Sequence, residues 1–177
     1  MSRKPQTIAA FYTGWRFNNE RLAERLGALS QEQLELRPAP DLWPIWATAA
    51  HLASARVYWL CAIFKEPGAE STPLTDPTGE GWEDDLEHPR QASELVFALD
   101  STWNIVQGCL ERWTPEMLQD EIRRERDGKI QIHTRQSVLM RLLTHDAGHC
   151  GEISQILGMH GLGEIDLWTG RAPTLPG

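Results

Sequence analysis

Hydrophobic residues recur at steps of three and four along four long stretches of the chain, with polar and charged residues between them. This spacing places the apolar side chains on one face of a helix. The predicted helices cover residues 5–29, 41–65, 91–112 and about 134–158. Because each must bury its apolar face, the pattern favours an all-α protein whose helices pack as a four-helix bundle.

The connections between these helices carry local signals of their own. Ser30 followed by Gln33 is a capping-box pattern, and it predicts a short helical turn that stops before Pro38. The segment 68–89 is rich in Gly, Pro, Thr and acidic residues and is predicted to be a loop. A loop of this length in a compact domain is usually functional or mobile. Trp82 within this loop is predicted to pack against a site entrance or a partner.

A small β-hairpin is predicted directly before the fourth long helix. Two strand-like runs, 122–126 and 129–133, flank the dipeptide Asp127-Gly128, which is a strong hairpin signal. Thr134 or Ser137 is then predicted to cap the helix that follows.

Composition and charge narrow the function classes. The 177 residues are 41% hydrophobic and 24% charged, which predicts one soluble globular domain spanning residues 1–177. A net charge of −8 argues against a nucleic-acid partner, which would require a basic surface. We see no signal peptide and no apolar run long enough for a membrane span. Three widely spaced cysteines are typical of reduced thiols, so a cytoplasmic location is expected.

The fourth helix carries two histidines one turn apart. His145 and His149 lie in register with Val138, Leu142 and Ile156, so both imidazoles lie on the face that should meet the core. Two imidazoles in this arrangement can bind one divalent metal ion. They can equally be histidines at the edge of the core that bond to neighbouring polar groups.

Other polar residues on core-facing positions have two interpretations each. His51 lies on the small-residue face of the second helix. A single histidine there is usually structural, but His51 would be a third metal ligand if it lies next to His145 and His149. Asn18 or Asn19 could form a polar wall of an interior site, or lie in solvent. Asp146 could orient a ligand histidine, although a solvent-facing position is slightly favoured.

Several catalytic motifs are weakly matched. His145-Asp146-x-x-His149 resembles the helix of zinc proteases, with Asp for the catalytic Glu and with only His160 or Glu164 as a third ligand. The adjacent His145-Asp146 also resembles the HD phosphohydrolases, but that arrangement leaves His149 unused. Paired Glu-x-x-His motifs of di-iron bundles are absent from the sequence. Cys150 points about a quarter turn away from His149 and is a weak candidate nucleophile.

The whole pattern resembles the DinB/YfiT-like superfamily of metal-binding four-helix bundles. The resemblance is carried by Trp46…His51-Leu52 and by Val138-Leu139 through His145…His149-Cys150-Gly151-Glu152-Ile153, ending at Gly158…Gly161. It implies that a histidine of the second helix and the HxxxH pair of the fourth bind one divalent ion, zinc or nickel. In this chain those metal ligands are His51, His145 and His149. Asp146 and Cys150 stand where the family varies, so the resemblance assigns them no role. Such bundles often pair as homodimers.

The resemblance implies a metalloenzyme that acts on a small molecule. Three neutral histidines leave the metal its full charge and an open position for another ligand. The favoured function is a thiol-dependent S-transferase or isomerase with a low-molecular-weight thiol as cosubstrate, because soft thiolates bind zinc well. One alternative is a metal-dependent hydrolase that activates water at the metal. Another is a bundle that binds a metal or a small ligand without catalysis.

Overall fold

Four long helices form the body of the protein in a computed structural model, which describes residues 6–74 and 85–172. Helix α1 packs against α4, and α3 packs against both α4 and α5. The prediction of an all-α bundle is confirmed. The helices, including a one-turn helix α2, are α1 (Thr13–Gly27), α2 (Gln31–Leu34), α3 (Ile45–Val57), α4 (Ala92–Arg112) and α5 (Arg135–Met159).

The first two long helices are shorter than the sequence pattern predicts. A 3₁₀ turn, Ile8–Phe11, precedes α1, so the α-helix begins only at Thr13. Helix α3 begins at Ile45 because Pro44 is extended, with φ −70° and ψ 162°. At its other end α3 continues as a π-helical segment, Tyr58–Ile63. Widened turns of this kind are frequent at functional sites.

The β-hairpin lies where it is predicted. Strand β1 (Glu121–Arg126) pairs antiparallel with β2 (Lys129–Thr134). Asp127 and Gly128 form the turn with φ values of 53° and 69°, the left-handed pair that a two-residue hairpin requires. At the end of β2, Thr134 caps α5 by accepting a bond from the Ser137 amide, and the Ser137 hydroxyl accepts one from the Thr134 amide. Thr134 and Ser137, predicted as alternative caps, therefore form one reciprocal capping box.

The 68–89 connection is only partly described. Its first residues form a 3₁₀ turn, Ala69–Ser71, and Leu74 is buried against the core. Trp82 lies outside the described residues. None of the helices in residues 6–74 and 85–172 combines the length and the apolar character needed to cross a lipid bilayer.

A buried ion pair crosses the centre of the bundle between α3 and α5. The Arg56 guanidinium donates to Asp146 Oδ2 at 2.7 Å, and the two side chains are 1% and 3% exposed. Trp15 Nε1 of α1 donates to the same carboxylate oxygen at 2.7 Å. The expectation that Asp146 faces solvent is therefore wrong. The sequence pattern misses its burial because the partner lies 90 residues away.

The rest of the Arg56 guanidinium is held by α1 and α4. It donates to Asn19 Oδ1 at 2.7 Å and to the Leu99 carbonyl at 3.3 Å. Asn19 is the interior residue of the Asn18–Asn19 pair, and it binds the arginine. One cation thus connects all four long helices. Such charges are tolerated in a core only when they are paired and hydrogen-bonded.

We expect either half of the ion pair to be costly to remove alone. Arg56→Met or Asp146→Leu leaves one buried charge without its partner, at a cost of about 3–5 kcal/mol in the free energy of unfolding. The double variant removes both charges and should cost clearly less than the sum of the two. Urea denaturation of metal-free protein measures all three.

The exposed pair Arg16–Glu20, with side chains 61% and 56% exposed, is the matched control. Its removal should cost less than about 1 kcal/mol. Additive losses at Arg56 and Asp146 would contradict the coupling.

Candidate metal centre

Three histidines from two helices meet at one point on the α3–α5 contact. His51 Nε2 lies 2.8 Å from His145 Nε2, and His149 Nε2 lies 3.2 Å from His145 Nε2. Their donor atoms all lie within 4.8 Å of one another, and they are the metal-capable group found among residues 6–74 and 85–172. The structure therefore brings together the three histidines that the sequence predicts as metal ligands.

The antiparallel course of α3 and α5 explains this meeting. Ala55 borders a cavity shared with Leu142, whereas Thr48 borders one shared with Ile156. The C-terminal part of α3 thus lies beside the N-terminal part of α5. His51 lies between Thr48 and Ala55 and faces the pair on α5. One helical turn separates His145 from His149, so both rings reach the same point.

A carboxylate lies behind one of the histidine rings. Glu152 Oε2 lies 2.6 Å from His149 Nδ1. A carboxylate accepts, so Nδ1 carries the proton and the lone pair of His149 lies on Nε2, which points into the group. A carboxylate behind a histidine is the usual arrangement at metal sites, where it orients the ring and raises its basicity.

The donor set fits a divalent metal ion. Imidazole nitrogens that share a tetrahedral zinc are roughly 3.3 Å apart, given bonds of about 2.0–2.1 Å. The nearest separations of 2.8 and 3.2 Å are slightly tighter than this value. Nitrogen lone pairs this close repel unless a proton or a cation lies between them. The Trp43 ring meets that of His51 edge-on at 5.2 Å and packs against this side chain.

A cavity of about 440 Å³ adjoins His51 and His145. Its walls include Tyr58 and Trp59, the first residues of the π-helical segment. The hairpin and the start of α5 complete the lining with arginines, which are Arg124, Arg126 and Arg141. The volume lies within the range of small-molecule sites, which is roughly 300–1,000 Å³.

A second cavity, of about 530 Å³, lies toward the other end of the same helix pair. Trp43, which packs on His51, and Glu152, which binds His149, both line it. The histidines therefore lie between two cavities of different character. The first is bordered by arginines, whereas the second includes the carboxylates of Glu152 and Asp41.

The cysteines do not contribute to this site. Cys61, Cys109 and Cys150 are free and buried. Burial raises the pKa of the Cys150 thiol to about 12, and the Asp146 charge adds to the increase. A thiol with this pKa stays protonated near neutral pH, so Cys150 supplies no nucleophile.

The weaker motif interpretations do not match the geometry. Asp146 Oδ2 accepts from Arg56 and Trp15, and Asp146 lies outside the metal-capable group of the described residues, so the HD arrangement with Asp146 as a metal ligand does not match. His160 and Glu164, the third ligands of a zinc-protease arrangement, are exposed and lie outside the metal-capable group. The contact of Glu152 with His149 was not predicted from the sequence, although a spacing of three residues on a helix is a recognisable signal.

Comparison with known proteins agrees with this architecture. The family model of the DinB superfamily matches residues 15–153. The chain belongs to the DinB superfamily. The match includes His51, His145 and His149, and it confirms the family resemblance seen in the sequence.

Solved structures support the same fold. The crystal structure of a DinB-like protein from Bacillus cereus superposes with a TM-score of 0.68 at 21% identity, covering 92% of this chain and 99% of that one. At this identity the likeness shows the fold alone. None of the curated proteins matches the chain in sequence.

We expect Glu152 to tune metal affinity. Glu152→Gln removes the charged acceptor of the His149 Nδ1 proton, and loss of such a partner weakens metal binding by roughly 10–100-fold. Competition with a chromophoric chelator measures the zinc affinity. Glu20→Gln, at an exposed glutamate on α1, is the matched control. Equal affinities for wild type and Glu152→Gln would show that this contact is only a surface pair.

Proposed function

We propose that this DinB protein is a metal-dependent enzyme, most consistent with a thiol-dependent S-transferase or isomerase that acts on a small molecule. His51, His145 and His149 would hold one divalent ion, zinc or nickel, through Nε2. The observation that carries the proposal is the convergence of three Nε2 atoms beside a cavity of ligand size.

The ligand set suits thiol chemistry. Three neutral imidazoles leave a bound ion its full charge, and that charge favours the thiolate form of a thiol cosubstrate. Glu152 keeps the proton of His149 on Nδ1, so Nε2 stays available as a donor. The cavity gives a small molecule access to His51 and His145.

Two features bear on which molecule could react at the site. The described cysteines are buried, so the chain offers no thiolate of its own at the site. The cavity beside His51 and His145 has no Asp or Glu among its described lining residues. A hydrolase would use such a carboxylate as a general base to activate water.

The ligand assignment predicts which histidines retain the metal. His149→Ala removes one of three donors, and elemental analysis should show near-stoichiometric metal in wild type and a strong loss in the variant. His160→Ala is the matched control, since His160 is exposed at the end of the same helix. Metal loss in His160→Ala would favour the zinc-protease arrangement, and equal metal in wild type and His149→Ala would contradict the site.

Cobalt(II) in place of the native metal distinguishes the reaction classes. We expect titration with glutathione or 2-mercaptoethanol to add an intense near-ultraviolet charge-transfer band, because thiolate sulfur binds the ion directly. His149→Ala should give no such band. An unchanged spectrum together with hydrolysis of p-nitrophenyl acetate that follows metal content would favour the hydrolase. A negative result in both assays would favour a non-catalytic binding bundle.

A further inference from the structure

The cavity beside the histidines is bordered by positive charge from two elements. Strand β1 contributes Arg124 and Arg126, two positions apart and hence on the same face of the hairpin. Helix α5 contributes Arg141, one turn before His145 and on the same helical face. The hairpin therefore brings guanidinium groups to the mouth of the histidine site.

Two of these arginines have aromatic neighbours and no acidic partner in the part of the chain that the structure describes. Within residues 6–74 and 85–172, neither Arg124 nor Arg141 makes an ion pair, whereas Arg126 lies 3.7 Å from Asp127. Arg141 instead lies 4.8 Å from the centre of the Trp59 ring, and Arg124 lies 5.5 Å from it. In a chain of net charge −8, unpaired guanidinium groups around a cavity suggest a ligand of opposite charge.

The same charges affect a neighbouring histidine. His133 packs edge-on against Trp59 at 4.9 Å. Burial lowers the pKa of His133, and the charges of Arg141 and Arg124 lower it further. The corner formed by the hairpin and the π-helical segment is therefore a region of positive potential. Aromatic walls beside it suit the apolar part of a ligand.

We propose that this cavity binds a small organic anion whose carboxylate or phosphate group is held by Arg124 and Arg141. The apolar body of the ligand would lie against Tyr58 and Trp59, with its reactive end toward His51 and His145. Guanidinium groups recognise both oxyanions through paired hydrogen bonds. The direction of the ligand toward the metal rests on the proposed function; the anion site itself does not.

Isothermal titration calorimetry of the zinc-loaded protein tests the anion site with three probes of similar shape. Benzoate carries a carboxylate, phenyl phosphate carries a phosphate, and benzamide is the neutral counterpart of benzoate. We expect at least one anion to bind roughly ten-fold or more tightly than benzamide. The comparison between benzoate and phenyl phosphate identifies which oxyanion the site prefers. Added KCl should weaken binding of the anion.

Arginine variants assign the binding to the cavity. Arg124→Gln and Arg141→Gln should each weaken anion binding by roughly ten-fold. Arg141→Lys keeps the charge without the paired geometry and should lie between wild type and Arg141→Gln. Arg123→Gln is the matched control, because Arg123 is exposed and its neighbours in the strand face the opposite side.

The outcomes separate this inference from the proposed function. Anion binding that persists in metal-depleted His149→Ala and is lost in the arginine variants supports the site independently of the metal. Anions that bind no better than benzamide would overturn the inference even if the metal assignment holds. Binding that is unchanged in both Arg→Gln variants, but lost with His149→Ala, would place the anion on the metal and also overturn it.

Discussion

The buried ion pair between Arg56 and Asp146 fixes how α3 and α5 lie against each other. Arg56 follows His51 by five residues, and Asp146 directly follows His145. The 2.7 Å contact therefore sets both the axial position and the rotation of the two helices beside the histidines. A buried charge pair tolerates little sliding, because any displacement leaves a charge uncompensated in a medium of low polarity. The close approach of the three Nε2 atoms depends on that register.

The site has different chemistry on its two sides. Toward the C-terminal end of α3, the π-helical segment and the hairpin enclose an arginine-bordered cavity next to His51 and His145. Toward the other end, Glu152 supports His149 and lines a second cavity with Asp41. The proposed reaction of a thiol with a second small molecule would need room for two reactants, and two cavities adjoin the histidines. The family match covers the helices that carry the histidines.

Much of the fold could be predicted from the sequence because the features that determine it each depend on a few neighbouring residues. Helical periodicity, the Ser30 and Thr134 caps and the Asp127-Gly128 turn each act over a few residues, and each is present in the structure. The ends of the helices are harder to predict. The backbone at Pro44 is extended, so α3 begins later than the sequence pattern predicts. The π-helical segment Tyr58–Ile63 has no simple sequence signal. The three histidines could be proposed as a group because their helical faces and the family resemblance agree.

The partners around the site could not be predicted in the same way. An aspartate interrupts the apolar pattern of a helix, so periodicity alone does not predict that Asp146 is buried. Its burial depends on a partner in a distant segment. The sequence around Arg56, which is rich in alanine, gives no signal that this arginine is buried. The arginines of β1 are typical of an exposed strand until the position of the hairpin against Trp59 is known. These contacts are tertiary, and only the packed structure shows them.

Zinc X-ray absorption spectroscopy identifies the ligand atoms around a bound ion and would show whether the three histidines hold it. We expect three imidazole nitrogens at about 2.0–2.1 Å in wild type, with a sulfur neighbour at about 2.3 Å appearing only when a small thiol is added. His51→Ala should reduce the imidazole contribution. Sulfur in the wild-type spectrum without added thiol, or a spectrum unchanged by His51→Ala, would contradict a site built from His51, His145 and His149.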